Sequence, residues 1–365
     1  MRTELRVLTS VRGIAAWLVV VYHIRGSIAG LPPAVEAIVS KGYLAVDFFF
    51  LLSGFVIWLT WHDRLRVPGA TLHFLQKRIA RIWPLHILML AFGGVLALGL
   101  RATGRDDPAF PFAELPLHGL LIQNWGFTDA LRWNDPSWSI SCELAAYLVF
   151  PLLIGMVDWC RLPIAALIGI AAALLSGLHI AMDGAPSLGD DIPRYGLIRC
   201  LCEFATGTII AAMFLRAQAP EPTGDVTQNP VRQPAWRPMA AAITVLAATA
   251  GAWVLGTPET LAAPATFAAL LLTLALTSGR RHHPLEGRTI HALGEISYAT
   301  YLSHFLLWKA FRLPLAGPTL SPPLIALYLL VVLIASVALY HGIERPAQRA
   351  INRIALSRRD TAPAG

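Results

Sequence analysis

Ser10-Val11-Arg12-Gly13-Ile14-Ala15-Ala16-Trp17-Leu18-Val19-Val20-Val21-Tyr22-His23 opens an apolar run long enough to cross a bilayer, yet it carries an arginine near its start and a histidine past its middle. Ionisable side chains inside a membrane helix cost free energy and are kept with a partner or a task. Arg12 and His23 are eleven positions apart. At about 100° per residue they come within about 20° of the same direction, separated by about 16 Å of rise. One helix face therefore carries both, with one end placed to hold an anion near the cytoplasm and the other to work at mid-membrane.

With 365 residues, 56% of them hydrophobic and 14% charged, and a mean hydropathy of +0.58, the chain is too apolar for a soluble domain of this size. The basic residues behind its net charge of +7 lie mostly in short loops between apolar runs, the pattern of topology signals and not of a nucleic-acid partner. Cys142, Cys160, Cys200 and Cys202 show no CxxC spacing. They read as small core residues, so neither a disulfide framework nor a metal site is expected. The first thirty residues lack a convincing small-residue cleavage site and are read as the first membrane helix, not a cleaved leader.

Outward from the opening stretch, apolar runs of membrane-crossing length fall near 8–28, 43–61, 82–100, 138–157, 162–182, 196–215, 239–256, 261–278, 292–312 and 323–341. The expected fold is an all-α, polytopic membrane helix bundle of about ten transmembrane helices, embedded in the lipid bilayer. An even number puts both termini on one side. Segments on that side carry most of the arginines, among them Arg64, Arg66, Arg78, Arg81, Arg161, Arg216, Arg232, Arg280, Arg281, Arg345 and Arg349, so both termini are expected in the cytoplasm. Residues 1–345 read as one transmembrane domain. Within it, 101–137 is an outward loop whose stretch Leu115 to Trp125 suits a short interfacial or re-entrant helix, and 216–238 is a cytoplasmic linker. The basic tail 346–365 is expected to fray at the membrane surface. No internal repeat suggests the inverted halves of a transporter.

Several polar residues stand out against this apolar background. His23 can take a proton from a hydroxyl, as O-acyl transfer requires, or can serve helix packing. Arg12 can bind an anion or snorkel to the interface. Asp47 lies near the outer end of the second span and is open between substrate and headgroup contact, while Ser53 and Gly54 read as close-packing residues. Arg78 and Arg81, at i, i+3, with Lys77 beside them, make a cationic fork suited to phosphates as well as a topology signal. Glu143 enters the fourth span with Ser139 one turn before and Tyr147 one turn after. An intramembrane carboxylate needs a partner, and His23 or an arginine is expected to supply it. Arg199 and Glu203, at i, i+4, are expected to neutralise one another. His304 follows Thr300 and Tyr301 by one turn, and Glu344-Arg345 reads as an interfacial charge pair.

Together these residues resemble the acyltransferase-3 family of integral-membrane O-acyltransferases, which modify sugars of cell-envelope and secreted glycans. Arg12 to His23 resembles its arginine, ten residues, histidine signature, and Phe48 to Phe55 its FF-x-x-SGF stretch. Arg78-Ile79-Ala80-Arg81 resembles its RxxR motif. Trp138 to Glu143, with Tyr147 and Pro151, is similar to its WSLxxE-x-x-Y-x-x-x-P run, and Ser297-Tyr298 to His304 and Glu344-Arg345-Pro346 to its late SYxxYLxH and ERP patterns. The six motifs fall in order over nearly the whole chain. Leu144 departs from the pattern, because many members carry a second acidic residue there.

The resemblance implies an enzyme of the inner (plasma) membrane that uses acetyl-CoA, or another acyl-CoA, from the cytoplasmic side and acylates a sugar presented outside. On that reading His23 is the general base or a transient acyl carrier, Glu143 orients it, and Arg12 places the thioester. Arg78 and Arg81, with Lys77, grip the coenzyme A phosphates, while Asp47, Trp138, Tyr147 and His304 are expected to meet the acceptor. Two other readings remain: a carrier that moves an acyl donor or a glycan without chemistry, and an acyltransferase acting on a non-glycan hydroxyl such as a macrolide or a lipid.

Overall fold

The structure, a computed structural model, describes residues 5–219, 236–278 and 283–360. It is helical throughout: α1 (Arg6–Ile24), α2 (Pro33–Ser40), α3 (Ala45–Trp61), α4 (Ala70–Ala102), α5 (Leu115–Leu120), α6 (Ser137–Met156), α7 (Ile164–Ala181), α8 (Ile192–Gln218), α9 (Trp236–Val254), α10 (Glu259–Thr277), α11 (Arg288–Glu295), α12 (Ser297–Arg312), α13 (Pro322–Leu339) and α14 (Arg345–Asp360). Among the described residues the only β-type pairing is the single bridge between Ile28 and Leu320. Among the described residues, nine segments are long and apolar enough to cross a membrane. The expected ninth span, 292–312, is instead two helices, α11 and the 16-residue α12, which meet at Ile296.

The core is built around α3, whose AVDFFFLLSGFVIWLTW sequence is apolar on every face and buries twelve of its 17 residues. Its tightest neighbour is α8. A Cβ on Gly54 would fall 1.9 Å from the Phe204 carbonyl oxygen, and one on Gly207 2.0 Å from that of Leu51, so two glycines permit the backbones to touch. At the periphery, Ile168 and Ile180 of α7 and Ile243 and Val254 of α9 are exposed, as lipid-facing residues are.

Two expectations change here, the start of the third span and the course of the tail. The span expected from 82 begins earlier, because α4 starts at Ala70 and runs through Pro84, so the basic cluster around Arg78 lies well inside the helix at the i, i+3 spacing expected. The segment after α4, where a short interfacial or re-entrant helix is expected, folds back along α4: Trp83 Nε1 donates to the Gly119 carbonyl (3.0 Å) and His86 Nε2 to that of His118 (2.7 Å), about 24 Å back from the end of α4 at Ala102. Residues expected to fray after Arg345 form α14, tied to α4 by Gln76 Nε2 donating to the Ile351 carbonyl (2.8 Å). Most of the expected linker 216–238 lies outside the described residues, as do Arg232, Arg280, Arg281 and the last five residues of the tail.

Candidate active site

A cavity of about 170 Å³ opens between α1, α3, α4, α6 and α12. Its polar walls are Arg12, Arg78, Arg81 and Glu143, with the hydroxyls of Ser53, Ser139, Tyr147, Ser297, Tyr298 and Tyr301, and its apolar side is mainly Val46, Phe49, Phe50 and Ile140. Each polar group is placed by helix geometry. Arg12 leaves α1 toward α11 and α12, where Nε donates to Ser297 Oγ (2.8 Å) and Nη2 to the Gly294 carbonyl (2.8 Å). Arg78 and Arg81 share a face of α4, as i, i+3 residues do. The Arg78 guanidinium lies over the Tyr147 ring, 5.8 Å from its centroid, and makes no ion pair among the described residues. Arg81 pairs with Glu344. Lys77 does not line the cavity.

Glu143 is held from within its own helix and from α3: Oε1 accepts from Tyr147 Oη (2.6 Å), one turn on, and from Ser53 Oγ (2.5 Å). His23 is not its partner. The helix face predicted for Arg12 and His23 does turn as a unit toward α11 and α12, but the rise between them puts His23 above the cavity. There His23 Nδ1 lies 2.9 Å from the Val19 carbonyl and 3.2 Å from Nε2 of the fully buried His304. Tyr301 separates the two levels. Its hydroxyl lines the cavity and meets Ser139 Oγ (2.8 Å) and the Pro136 carbonyl (3.1 Å), while its ring lies 6.1 Å from that of His304.

Asp47 sits apart from this cavity. Its two carboxylate oxygens accept from Arg199 Nε (2.5 Å) and Nη2 (2.6 Å), and both residues are buried. Arg199 thus pairs across the α3–α8 contact and not with Glu203 one turn along its own helix; the buried Glu203 lies beside them. Trp138 carries the Arg199 guanidinium over its ring, 5.3 Å from the centroid, and borders a second, smaller cavity with His118, Gln123, Arg132 and Asp135 of the segment between α4 and α6. Burial pushes the Asp135 carboxyl up to about 6 and His118 down to about 4. Among the described residues no group of three or more His, Cys, Asp and Glu side chains is arranged to hold a metal ion.

A cavity with three guanidiniums and one carboxylate suits an anionic ligand whose neutral arm lies against apolar and hydroxyl groups. Residues 6–341 match the family model described as an acyltransferase domain. The chain belongs to the acyltransferase-3 family. It is similar to the acyltransferase MdmB of Streptomyces mycarofaciens, 30% identical over 87% of this chain and 83% of that protein. It is also similar to the exopolysaccharide production protein ExoZ of Rhizobium meliloti (strain 1021), 26% identical over 84% of this chain and 90% of that one. A third relative, protein 2 in the picA locus of Rhizobium radiobacter, is 32% identical over 39% of this chain and 78% of its own length. No solved structure matches the chain.

Sequence reasoning missed two groups at this site. Ser53 was read as a packing residue; a lone hydroxyl in an apolar run, with an intramembrane glutamate elsewhere in need of a donor, was the available signal. Glu344 was assigned to an interfacial pair with Arg345. A five-residue π-helical turn, Tyr340–Glu344, joins α13 to α14, and its Glu344 meets Arg81 instead. The residues around Glu344 gave no local sign of that turn.

Proposed function

We propose that this protein transfers an acyl group from an acyl-CoA to a hydroxyl of an envelope or secreted glycan. Family membership supports the acyl donor and speaks against a carrier without chemistry. The observation that carries the finer reading is the pairing of an arginine-lined cavity with a histidine pair one level above it. The donor enters from the α4 N-terminal side, which we assign to the cytoplasm of a plasma-membrane protein because basic residues concentrate there.

Arg78 holds a phosphate, with Arg81 sharing it with Glu344. The pantetheine arm runs along the wall of Phe49, Phe50 and Ile140. About 16 Å of rise along α1 separates the Arg12 level from the His23 level, a span comparable to that extended arm. Glu143, fixed by Ser53 and Tyr147, balances part of the arginine charge. Tyr301 must swing aside for the thioester to reach His23, which takes the acceptor's hydroxyl proton as the oxygen attacks the acyl carbon. A sugar acceptor is suggested by the similarity to ExoZ, named for exopolysaccharide production.

The test is coenzyme A release from acetyl-CoA by purified protein given envelope glycan from the source cell. Release that depends on glycan, is lost in His23→Ala and needs more acetyl-CoA in Arg78→Ala is the expected result. Release that depends equally on a hydroxylic lipid or macrolide and not on glycan would replace the acceptor. Release unaffected by His23→Ala in a folded protein would overturn the site.

A further inference from the structure

Between α1 and α12, two imidazoles meet where no carboxylate among the described residues touches either ring. Their partners decide which nitrogen carries each proton. A backbone carbonyl only accepts, so a ring nitrogen that bonds to one must carry hydrogen. His23 Nδ1 lies 2.9 Å from the Val19 carbonyl oxygen, and His304 Nδ1 lies 3.2 Å from that of Thr300. Both Nδ1 atoms are therefore donors in the neutral rings. His304 Nε2 is then a bare lone pair, and it lies 3.2 Å from His23 Nδ1, where it accepts a share of the same proton. The assignments close without conflict. They leave one nitrogen uncommitted: His23 Nε2, bare and with no hydrogen bond among the described residues.

We infer that His304 is a positioning residue that, with the Val19 carbonyl, holds His23 in the tautomer whose Nε2 is the free base. This rests on the proposed role of His23 in acyl transfer. The anchoring is stiff on the His304 side. His304 is fully buried, its backbone carbonyl accepts from Tyr328 Oη (2.9 Å), and its ring packs 5.0 Å from that of His23 and 6.1 Å from that of Tyr301. The His23 ring has Phe305 on one edge (5.4 Å) and Tyr22 on another (5.1 Å), so it cannot turn over without losing both acceptors.

In the reaction the acceptor's O–H proton passes to His23 Nε2 as its oxygen bonds to the acyl carbon. The carbon–sulfur bond then breaks, and the departing thiolate takes that proton from Nε2 to leave as the thiol. His304 gains and loses no proton. It accepts more strongly from Nδ1–H while His23 is an imidazolium, the part that a carboxylate plays in hydrolase triads.

The test reads the tautomer and the rate separately. In full-length protein carrying histidine labelled with nitrogen-15 in the ring, the His23 signals, identified by their loss in His23→Gln, should show a protonated Nδ1 and an imine-type Nε2. A protonated Nε2 in the neutral ring overturns the inference whatever the activity. His304→Gln, whose side-chain carbonyl still accepts, should keep kcat within about threefold, whereas His304→Leu should lower kcat at least about tenfold with an unchanged KM for acetyl-CoA. Equal losses in a folded Gln variant and a folded Leu variant, or a loss seen only in KM, overturn the positioning role. If His23→Ala keeps glycan-dependent release while the tautomer is as stated, it is the proposed function that fails and not the hydrogen-bond assignment.

Discussion

Helix α3 touches two charged clusters about 9 Å apart along its axis, at Asp47 and at Ser53, and they are opposite in kind. At Asp47 the guanidinium of Arg199 spends itself on a carboxylate in a bidentate pair that joins α3 to α8, with the Trp138 ring beneath the guanidinium. At Ser53 the guanidiniums of Arg12, Arg78 and Arg81 face a cavity that holds one carboxylate, Glu143, and that carboxylate is already bound to two hydroxyls. In the first cluster the one guanidinium is fully committed, with buried Glu203 beside it. The second has cationic capacity left over. Arginine and carboxylate occur in both, so their presence in a membrane helix does not separate architecture from chemistry; the balance of donors to acceptors and the room around them does.

The comparison can be broken most sharply at Arg199. Replacing it with Met strands buried carboxylates, and stability in detergent should fall by about 3–5 kcal/mol, measured by thermal or denaturant unfolding. The triple replacement Asp47→Leu, Arg199→Met, Glu203→Leu should recover most of that loss if the cluster is architectural. A triple variant that folds well but is inactive would move Asp47 back among the functional residues.

Gly54→Val tests the close approach of α3 and α8 beside the second cluster. With the Cβ position 1.9 Å from a carbonyl oxygen, α3 and α8 must part, at a cost of about 1–3 kcal/mol in the same unfolding assay. A wild-type melting profile would show that the contact is looser than the geometry requires.

Asp135 supplies an intermediate case, a partly buried carboxylate near Lys309 that makes no ion pair among the described residues. Its folded value of about 6 lies above the ordinary 3.8, so the folded state binds the proton more tightly than the unfolded chain. Its stabilising contribution is thus present below about pH 4 and is lost as the pH rises through 6. Asp135→Asn should remove that slope and stabilise the protein at pH 7 by on the order of 2 kcal/mol. An unchanged pH profile in the variant would assign the slope elsewhere.

The smallest stability change belongs to Arg78. Arg78→Ala should shift unfolding by less than about 0.5 kcal/mol, because it breaks no ion pair, yet raise the KM for acyl-CoA about tenfold, or about 1.4 kcal/mol. A large stability loss with unchanged KM would place Arg78 with Arg199 as an architectural residue.

Much of this protein was readable in one dimension. The apolar runs announced a polytopic helical bundle because every backbone polar group in a bilayer must be satisfied within its own helix. The i, i+3 spacing of Arg78 and Arg81 and the eleven-residue interval from Arg12 to His23 specified shared faces, because helical rise and twist are local properties. Partnership was not local. Glu143 went to Ser53 and not to His23, Arg199 to Asp47 and not to Glu203, and Glu344 to Arg81 and not to Arg345. Each of these pairs joins residues more than 80 positions apart, which no helical period relates. Only the packing of whole helices, set by where two glycines allow contact and where a π-turn redirects α14, decided which charges were sealed and which were left facing a cavity.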